Sequence, residues 1–496
     1  MRAAEDFDVE ASRATKPYFY RAPVPERLPN NMHVMEFQLA GAEYCVPRDN
    51  ALIGDAPGLT KTAQSIIIGN AIAAKKTLVI CPASLRLNWE REIWSWSTRP
   101  NVSTYPVLTA AYGISNQADY VIVSWALLAN EAIHKAIMAE RWDHVIPDEA
   151  HALKDPKGNQ RTKAFVGWND HGTYRSGIVD VCGRITALSG TLLPNQPIEA
   201  YNLVRLLKWD AIDRASLEDF RNYYYDKGGG LVRGPVLDRK TMVWTNKLHW
   251  SDEVRNVPRN MDDLQYRLRK HVMVRRLKED VLKELPPKTW HPFPLVMTAA
   301  IRSAMKHPGW GEASRLYEMN PDAFNRGVPV DGAISTARLL LGEAKAPSVA
   351  DYIEDLLGGG VTKLVVAGWH HTVLKYLRER LTKHGLVYMD GSTSTKAKQA
   401  AVDDFQNNPK TTIILGQMLP LGEGWTLTAA QDAVLAEFDW VPGKNDQLLD
   451  RIHRMGQKGN YLIGHIPVVP GTLDERMLST AIDKDIHIHK ALDKRH

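Results

Sequence analysis

The octapeptide Asp55-Ala56-Pro57-Gly58-Leu59-Thr60-Lys61-Thr62 follows the apolar run Ala51–Ile53 and precedes a helical pattern opened by Ala63, Ile66 and Ile67. A strand, a tight loop and a helix N-terminus bearing Lys-Thr are what a polyphosphate requires. Loop and first-turn N–H groups meet its oxygens, the lysine pairs with the β- and γ-phosphates, and the threonine hydroxyl ligates Mg2+. Two positions depart from the strict phosphate-loop pattern: Asp55 stands at its first glycine, and Thr60 at the glycine before the lysine. An ordinary Gly-containing strand-to-helix turn is the other reading of this segment alone.

A second constellation, Asp148-Glu149-Ala150-His151, comes directly after the apolar run His144–Pro147. Adjacent carboxylates at the C-terminal end of a parallel strand can divide labour, one holding Mg2+ and the other orienting and deprotonating an attacking water. A surface acidic turn is the alternative, and the position of the pair in the same lobe as the phosphate loop weighs against it. A third lies in Gln447–Gln457 (QLLDRIHRMGQ). At 3.6 residues per turn Gln447, Arg451 and Arg454 share one stripe, and Leu448, Ile452 and Met455 another. One stripe packs while the other aims two guanidiniums suited to the charge of a transferring γ-phosphoryl group. Read alone, the segment also fits a salt-bridged surface helix.

These groups need elements to hold them. Apolar runs of strand length (Thr77–Cys81, Tyr120–Ser124, His144–Pro147, Arg184–Ser189) alternate with amphipathic segments such as Leu85–Trp96 and Ala126–Glu140. Runs apolar on both faces and separated by helices predict a doubly wound parallel sheet. The pattern breaks near Gly228-Gly229-Gly230, runs polar and basic to about Pro287, and resumes with Lys363–Trp369, Leu386–Met389, Thr411–Leu415 and Ala433–Glu437. The expected organisation is an N-terminal extension (1–30), a first α/β lobe (31–225), a helical, basic insertion and inter-lobe segment (226–287), a second α/β lobe (288–480) with a helical insertion at about 297–350, and a tail (481–496).

Composition agrees with a folded chain of several domains. Of 496 residues 44% are hydrophobic, 24% charged and 8% aromatic, which excludes disorder, collagen-like repeats and coiled coil as the main architecture. No apolar window is long enough for a membrane span, and the first thirty residues are too charged for a signal peptide. Three scattered cysteines (Cys45, Cys81, Cys182) make no disulfide framework or zinc site, so a cytoplasmic, reducing location is expected. A net charge of +5 permits a nucleic-acid partner without arguing for one.

In this order, the three segments resemble the Swi/Snf family of DNA-dependent ATPases among the superfamily-two helicases. The likeness extends to Met35–Tyr44 (MEFQLAGAEY), similar to the adenine-reading glutamine motif with Gln38 in that role, and to Val79–Trp94, similar to motif Ia. Ala187–Leu206 is similar to motif III, and Leu264–Lys288 to the arginine-rich segment between lobes. Gly342–Pro347, Tyr388–Thr393 and Gly422–Ala430 have counterparts in the second lobe. Within the family the chain looks closest to compact annealing-helicase-type members and short phage and bacterial relatives, through Ala436–Gly443 (AEFDWVPG) and GEAKAP.

The resemblance implies two RecA-like lobes with helical insertions and an ATP-driven translocase on double-stranded DNA of any sequence. Its partners would come from replication, repair or transcription, in the nucleoid of a prokaryotic or phage-infected cell. ATP and Mg2+ are the implied ligands, with Asp55, Gly58, Thr60, Lys61, Thr62 and Gln447 around the nucleotide, Thr62 and Asp148 on Mg2+, Glu149 on water, and Arg451 and Arg454 as arginine fingers. Pro82, Ala83, Ser84, Gly422, Gly424 and Thr426 would touch the DNA backbone. Arg275 and Arg276, in the basic run between lobes, are expected on phosphate, and Trp89, Trp94 and Trp96 in packing rather than base stacking. Glu423 and Trp425 depart from the family's apolar residues, and Pro147 precedes the carboxylate pair. A nucleotide-binding DNA clamp crippled by Thr60 and an RNA-directed helicase are the competing functions.

Overall fold

The computed structural model describes residues 7–493, apart from 20–21, 27, 30–32, 155–158, 171–172, 191, 194–196, 213–215, 228–229, 239–242, 252–254, 312–331 and 423. The chain divides into two units. The first comprises Met1–Phe220, Asp262–Lys283 and Ala491–His496, and the second Arg221–Met261 and Glu284–Lys490.

The first unit is built on seven strands: β1 (Asn50–Ile53), β2 (Thr77–Cys81), β3 (Thr104–Pro106), β4 (Tyr120–Ser124), β5 (His144–Pro147), β6 (Ile185–Leu188) and β7 (Met273–Val274). Their order across the sheet is β7-β1-β6-β5-β2-β4-β3, and every pairing is parallel. Every residue of β2 and β4 is buried, as a sheet covered on both faces demands. Helices Glu36–Cys45, Lys61–Ala71 and Arg86–Trp96 supply part of the cover. Ile66, Ile67 and Ile68 are fully buried, each stabilising the helix–sheet contact by roughly 1.5–3 kcal/mol. Pro147 ends β5, where its missing N–H removes little from the ladder.

The large sheet of the second unit has six strands: β8 (Lys288–Pro294), β9 (Leu364–Gly368), β10 (Leu386–Met389), β11 (Ile413–Gln417), β12 (Asp432–Leu435) and β13 (Leu462–Val468). Their order is β8-β13-β12-β9-β11-β10, again wholly parallel. Helices His371–Leu381, Thr395–Asn407 and Pro442–Ile452 follow strands in the alternation expected of doubly wound α/β. The insertion after β8 is helical where described, with Ala299–Ala304 and the 27-residue helix Gly332–Gly358, which contains Pro347.

The middle segment differs from the single helical, basic insertion expected. Tyr225–Lys227 pairs with Arg255–Pro258, and Gly230–Asp238 pairs with Val243–Ser251 through nine antiparallel partners, so residues 225–258 are mainly β. Helix Met261–His271 and β7 belong to the first unit, where Met273 and Val274 pair with Leu52 and Ile53. Two residues of strand between a basic helix and two arginines carry no period of their own, so sequence pattern cannot reveal them.

The expected extension and tail carry ordered structure. Phe7–Ala11 is helical, Asp8 pairs with Arg48 at 2.6 Å, and the Glu43 carboxylate accepts from the N–H groups of Tyr18 (2.7 Å) and Phe19 (2.6 Å). One helix runs from Leu473 through Leu492, past the expected boundary at 481.

Candidate active site

β1 delivers the chain into the loop Gly54–Thr60, and helix Lys61–Ala71 leaves it. Gly58 has φ +88°, which glycine adopts freely, and Thr60 sits left-handed at φ +44°, ψ +47°. For a β-branched residue that conformation is strained, of order 1 kcal/mol or more. The Thr60 hydroxyl accepts from Gln38 Nε2 at 2.7 Å, while Gln38 Oε1 accepts from the Met35 N–H at 2.8 Å. The Gln38 side chain, buried at the start of helix Glu36–Cys45, thus ties that helix to the loop.

Lys61 Nζ folds back to donate to the carbonyls of Asp55 (2.9 Å) and Ala56 (3.3 Å). Gly190, just beyond β6, lies so close that a Cβ there would come within 2.9 Å of Lys61 Nζ and 2.8 Å of Pro57 Cγ. Thr62 occupies the second position of the helix, inside its positive N-terminal turn.

Asp148 and Glu149 follow β5. Asp148 Oδ2 accepts from the Trp89 indole at 2.9 Å, Oδ1 from the Glu149 N–H at 2.9 Å, and its carbonyl from the Trp125 indole at 2.7 Å. Burial, then the charge of Glu149, pushes the Asp148 carboxyl up to about 6, against the Trp89 hydrogen bond and the nearby Lys61 charge. Glu149 is left-handed at φ +52° and its Oε2 lies 3.2 Å from His151 Nδ1, which is 3.4 Å from Ser189 Oγ. A strained glutamate beside a buried aspartate and a lysine is the kind of cluster in which catalytic groups are held.

The surroundings of Asp148 fit Mg2+. A carboxylate whose charge burial disfavours gains from a cation beside it, and an aspartate with a threonine hydroxyl is an all-oxygen donor set. Among the described residues no group of three or more His, Cys, Asp or Glu forms a cage. Mg2+ held by one or two protein oxygens and completed by phosphate and water needs none.

Asp55 does something other than bind phosphate. Its carboxylate, fully buried, takes a bidentate ion pair from Arg276, whose Nε donates at 2.9 Å, together with the Arg276 N–H at 2.8 Å and Gln64 Nε2 at 2.8 Å. Arg276 Nη2 also donates to Gln64 Oε1 at 2.7 Å and Nη1 to the Phe37 carbonyl. Arg275 reaches the Gly54 carbonyl (2.7 Å) and the Asp493 carboxylate (2.5 and 2.8 Å). Both guanidiniums, expected on DNA phosphate, are instead turned into the first unit, because the Asp55 and Asp493 carboxylates, their side chains 0% and 6% exposed, need a positive partner.

Pro82 follows β2, Ala83 and Ser84 open a single 3-10 turn (Ala83–Leu85), and helix Arg86–Trp96 begins at once. Ser84 Oγ is shielded from solvent and has no hydrogen-bond partner among the described residues.

In the second unit, a Cβ built at Gly422 would lie 4.0 Å from Gln447 Cβ, Gly424 has φ +64°, and the Arg454 guanidinium donates to the Gly424 carbonyl (3.4 Å) and Thr426 Oγ1 (3.2 Å). The Leu427 N–H donates to the Arg451 carbonyl at 2.9 Å. Helix Pro442–Ile452 stops before Arg454, so Arg454 is presented by the following turn and the expected continuous stripe ends at Arg451. Arg451 is itself buried.

Trp89, Ser189 and Gly190 join the site without having been assigned a role in it, His151 of the acidic constellation lies beside Glu149, and Trp125 reaches only the Asp148 backbone. Trp89 reads as packing because its ring is apolar, yet a buried indole N–H seeks an acceptor, and helix spacing after β2 brings it to Asp148.

Two family models match the chain. The SNF2-related domain matches residues 37–327 and the helicase conserved C-terminal domain residues 348–456. The chain is 30% identical over 462 residues to the SWI/SNF-related matrix-associated actin-dependent regulator of chromatin subfamily A-like protein 1 of Xenopus tropicalis, covering 91% of this chain and 44% of that protein. It is 26% identical over 477 residues to the DNA annealing helicase and endonuclease ZRANB3 of Homo sapiens, covering 92% of this chain and 40% of that protein. The chain therefore spans about two-fifths of the length of these relatives. The Sulfolobus solfataricus SWI2/SNF2 ATPase core in complex with dsDNA aligns at 20% identity and a TM-score of 0.42, over 96% of this chain and 100% of that one. With the matched models spanning most of its length and both parallel sheets in place, the chain belongs to the SNF2-related family of helicase-like ATPases.

Proposed function

We propose that this protein is a DNA-dependent ATPase that couples hydrolysis to movement along double-stranded DNA without sequence preference. The observation that carries the reading is the convergence of Lys61, the Asp148-Glu149 pair and Gly190 at the strand ends of the first unit. Lys61, released from the loop carbonyls, pairs with the β- and γ-phosphates, and the N–H groups at the helix start cradle them. Thr62 and Asp148 would hold Mg2+, which neutralises phosphate charge when bound. Glu149 orients the attacking water and takes its proton, with His151 beside its carboxylate. Arg451 and Arg454 supply positive charge to the γ-phosphoryl group, and Gln38 and Gln447 contribute to the nucleotide pocket. Pro82, Ala83, Ser84, Gly422, Gly424 and Thr426 would meet the DNA backbone. The lone hydroxyl of Ser84 supports this, since a shielded oxygen without a partner is suited to an incoming phosphate or bridging water. The names of the relatives, which speak of chromatin regulation and of DNA annealing, favour DNA over RNA.

Steady-state phosphate release with duplex DNA, single-stranded DNA and RNA as cofactors tests the reading. Stimulation by duplexes of unrelated sequence is expected, with affinity falling steeply as salt rises. Stimulation by RNA alone would transfer the protein to the RNA-directed class, and ATP binding without turnover on any cofactor would make it a clamp. Displacement of a triplex strand then distinguishes directional movement from local hydrolysis.

A further inference from the structure

Asp148 is held by two indoles from different segments. Trp125 directly follows β4 and donates to the Asp148 carbonyl, so it fixes only backbone. Trp89 lies on helix Arg86–Trp96 and donates to a carboxylate oxygen, so it fixes the functional group itself. With Oδ1 accepting from the Glu149 N–H, the two oxygens of the carboxylate are distinguished by different donors. Trp89 is 1% exposed, and the indole nitrogen is a donor only, so losing the acceptor would leave a buried N–H unsatisfied. The same helix starts immediately after the 3-10 turn Ala83–Leu85, little more than one helical turn before Trp89. A rigid aromatic lever therefore connects the segment assigned to DNA backbone with the carboxylate assigned to Mg2+.

We propose that Trp89 is a positioning residue through which the Pro82–Ser84 segment sets the orientation of the Asp148 carboxylate, making hydrolysis responsive to DNA. This rests on the functional reading above. Displacing the start of helix Arg86–Trp96 moves the indole, and the indole carries Oδ2 with it because the buried N–H is held to that oxygen. In the absence of DNA the indole holds the carboxylate toward the metal from a helix start that is free to shift. When backbone phosphate engages the turn, the helix start is fixed and so is the oxygen.

Trp89→Phe keeps an aromatic ring and removes the N–H, and Trp125→Phe is the matched control. In the wild type and both variants, binding of a fluorescent N-methylanthraniloyl ATP is titrated with Mg2+ in the absence of DNA, and phosphate release is measured with and without duplex DNA. For Trp89→Phe the Mg2+ concentration at half-saturation is expected to rise at least ~5-fold while nucleotide binding in EDTA stays within ~2-fold. The duplex-stimulated kcat should fall ~10-fold with the DNA concentration at half-stimulation little changed. Trp125→Phe should leave the Mg2+ requirement near that of the wild type. An unchanged Mg2+ requirement and unchanged DNA stimulation in Trp89→Phe would overturn the proposal, as would an equal effect of both substitutions. If the wild type is not stimulated by DNA, the functional reading fails, and the Mg2+ titration still decides whether Trp89 orients Asp148. Should Trp89→Phe fail to fold, benzothienylalanine introduced at position 89 by nonsense suppression preserves the bicyclic ring without an N–H and serves the same comparison.

Discussion

Gln38 Nε2 donates to Thr60 Oγ1 at 2.7 Å, so the residue that resembles an adenine reader is hydrogen-bonded to the side chain that stands where the phosphate loop has glycine before its lysine. Thr60 holds φ +44° where glycine is the relaxed choice. Its strain, of order 1 kcal/mol, opposes the loop geometry that phosphate needs. Thr60→Gly removes the strain and frees the Gln38 amide, and is expected to tighten ATP binding or raise DNA-stimulated turnover several-fold. Thr60→Ser, which keeps the hydroxyl, should change neither by as much. Poorer binding and hydrolysis by the glycine variant, measured by ATP titration, would make the hydroxyl a working part of the loop.

Glu149→Gln retains the size of the side chain and loses the base. ATP binding with Mg2+ should persist while phosphate release slows at least ~100-fold, because a positioned carboxylate contributes on that order to activating water. Near-normal hydrolysis would remove Glu149 from the role assigned to it.

Arg276 predicts stability rather than DNA affinity. Arg276→Ala leaves the fully buried Asp55 carboxylate without its guanidinium and should destabilise the first unit by about 3–5 kcal/mol. The double variant Asp55→Asn/Arg276→Met should lose less than the sum of the single changes. Urea unfolding measures both, and a variant of wild-type stability with weakened duplex binding would restore the phosphate-contact expectation.

Arg454 is held by Thr426 and Gly424 in the turn that follows helix Pro442–Ile452. Arg454→Ala should reduce DNA-stimulated kcat at least ~100-fold with a much smaller change in nucleotide affinity, as expected of charge stabilisation in the transition state. Equal losses in kcat and in ATP affinity would mark it as a ground-state contact instead.

His144 gives the pH dependence of stability a sign. Buried in β5 with Nε2 2.8 Å from Thr186 Oγ1, it is pushed by burial down from an ordinary 6.5 to about 3. The unfolded chain takes up a proton there below pH ~6.5 while the folded chain does not, so stability present above that pH is lost on acidification toward pH 3. The slope contributed is about 1.4 kcal/mol per pH unit. His144→Gln should flatten the decline in urea midpoint between pH 7 and pH 5, and an unchanged decline would exclude the histidine as its source.

The local settings that lie in consecutive residues were legible. Lys61-Thr62, Asp148-Glu149 and the strands apolar on both faces announce themselves because local spacing and local structure coincide. What escaped was non-local. Asp55 looks like a failed glycine until Arg276, 221 residues on, is found beside it, and Trp89 looks like core until Asp148 is placed under its N–H. The end of the helix at Ile452 was hidden for another reason. Arg454 and Met455 continue the helical period past the residue where the helix stops, and only the Gly456 left-handed turn (φ +92°) hints at the break.

The Asp55–Arg276 pair and the pairing of β7 with β1 make the phosphate loop a late product of synthesis. A ribosome adding roughly 5–20 residues per second emits Asp55 on the order of ten seconds or more before Arg276. During that interval β1 lacks its outer neighbour, and the Asp55 carboxylate lacks its guanidinium. A nascent chain halted near residue 225, at the apparent end of the first lobe, carries Lys61, Asp148 and Glu149 without the support beneath the loop. Nucleotide binding should therefore arise on the ribosome only after the β-rich segment that interrupts the first unit has been made and passed.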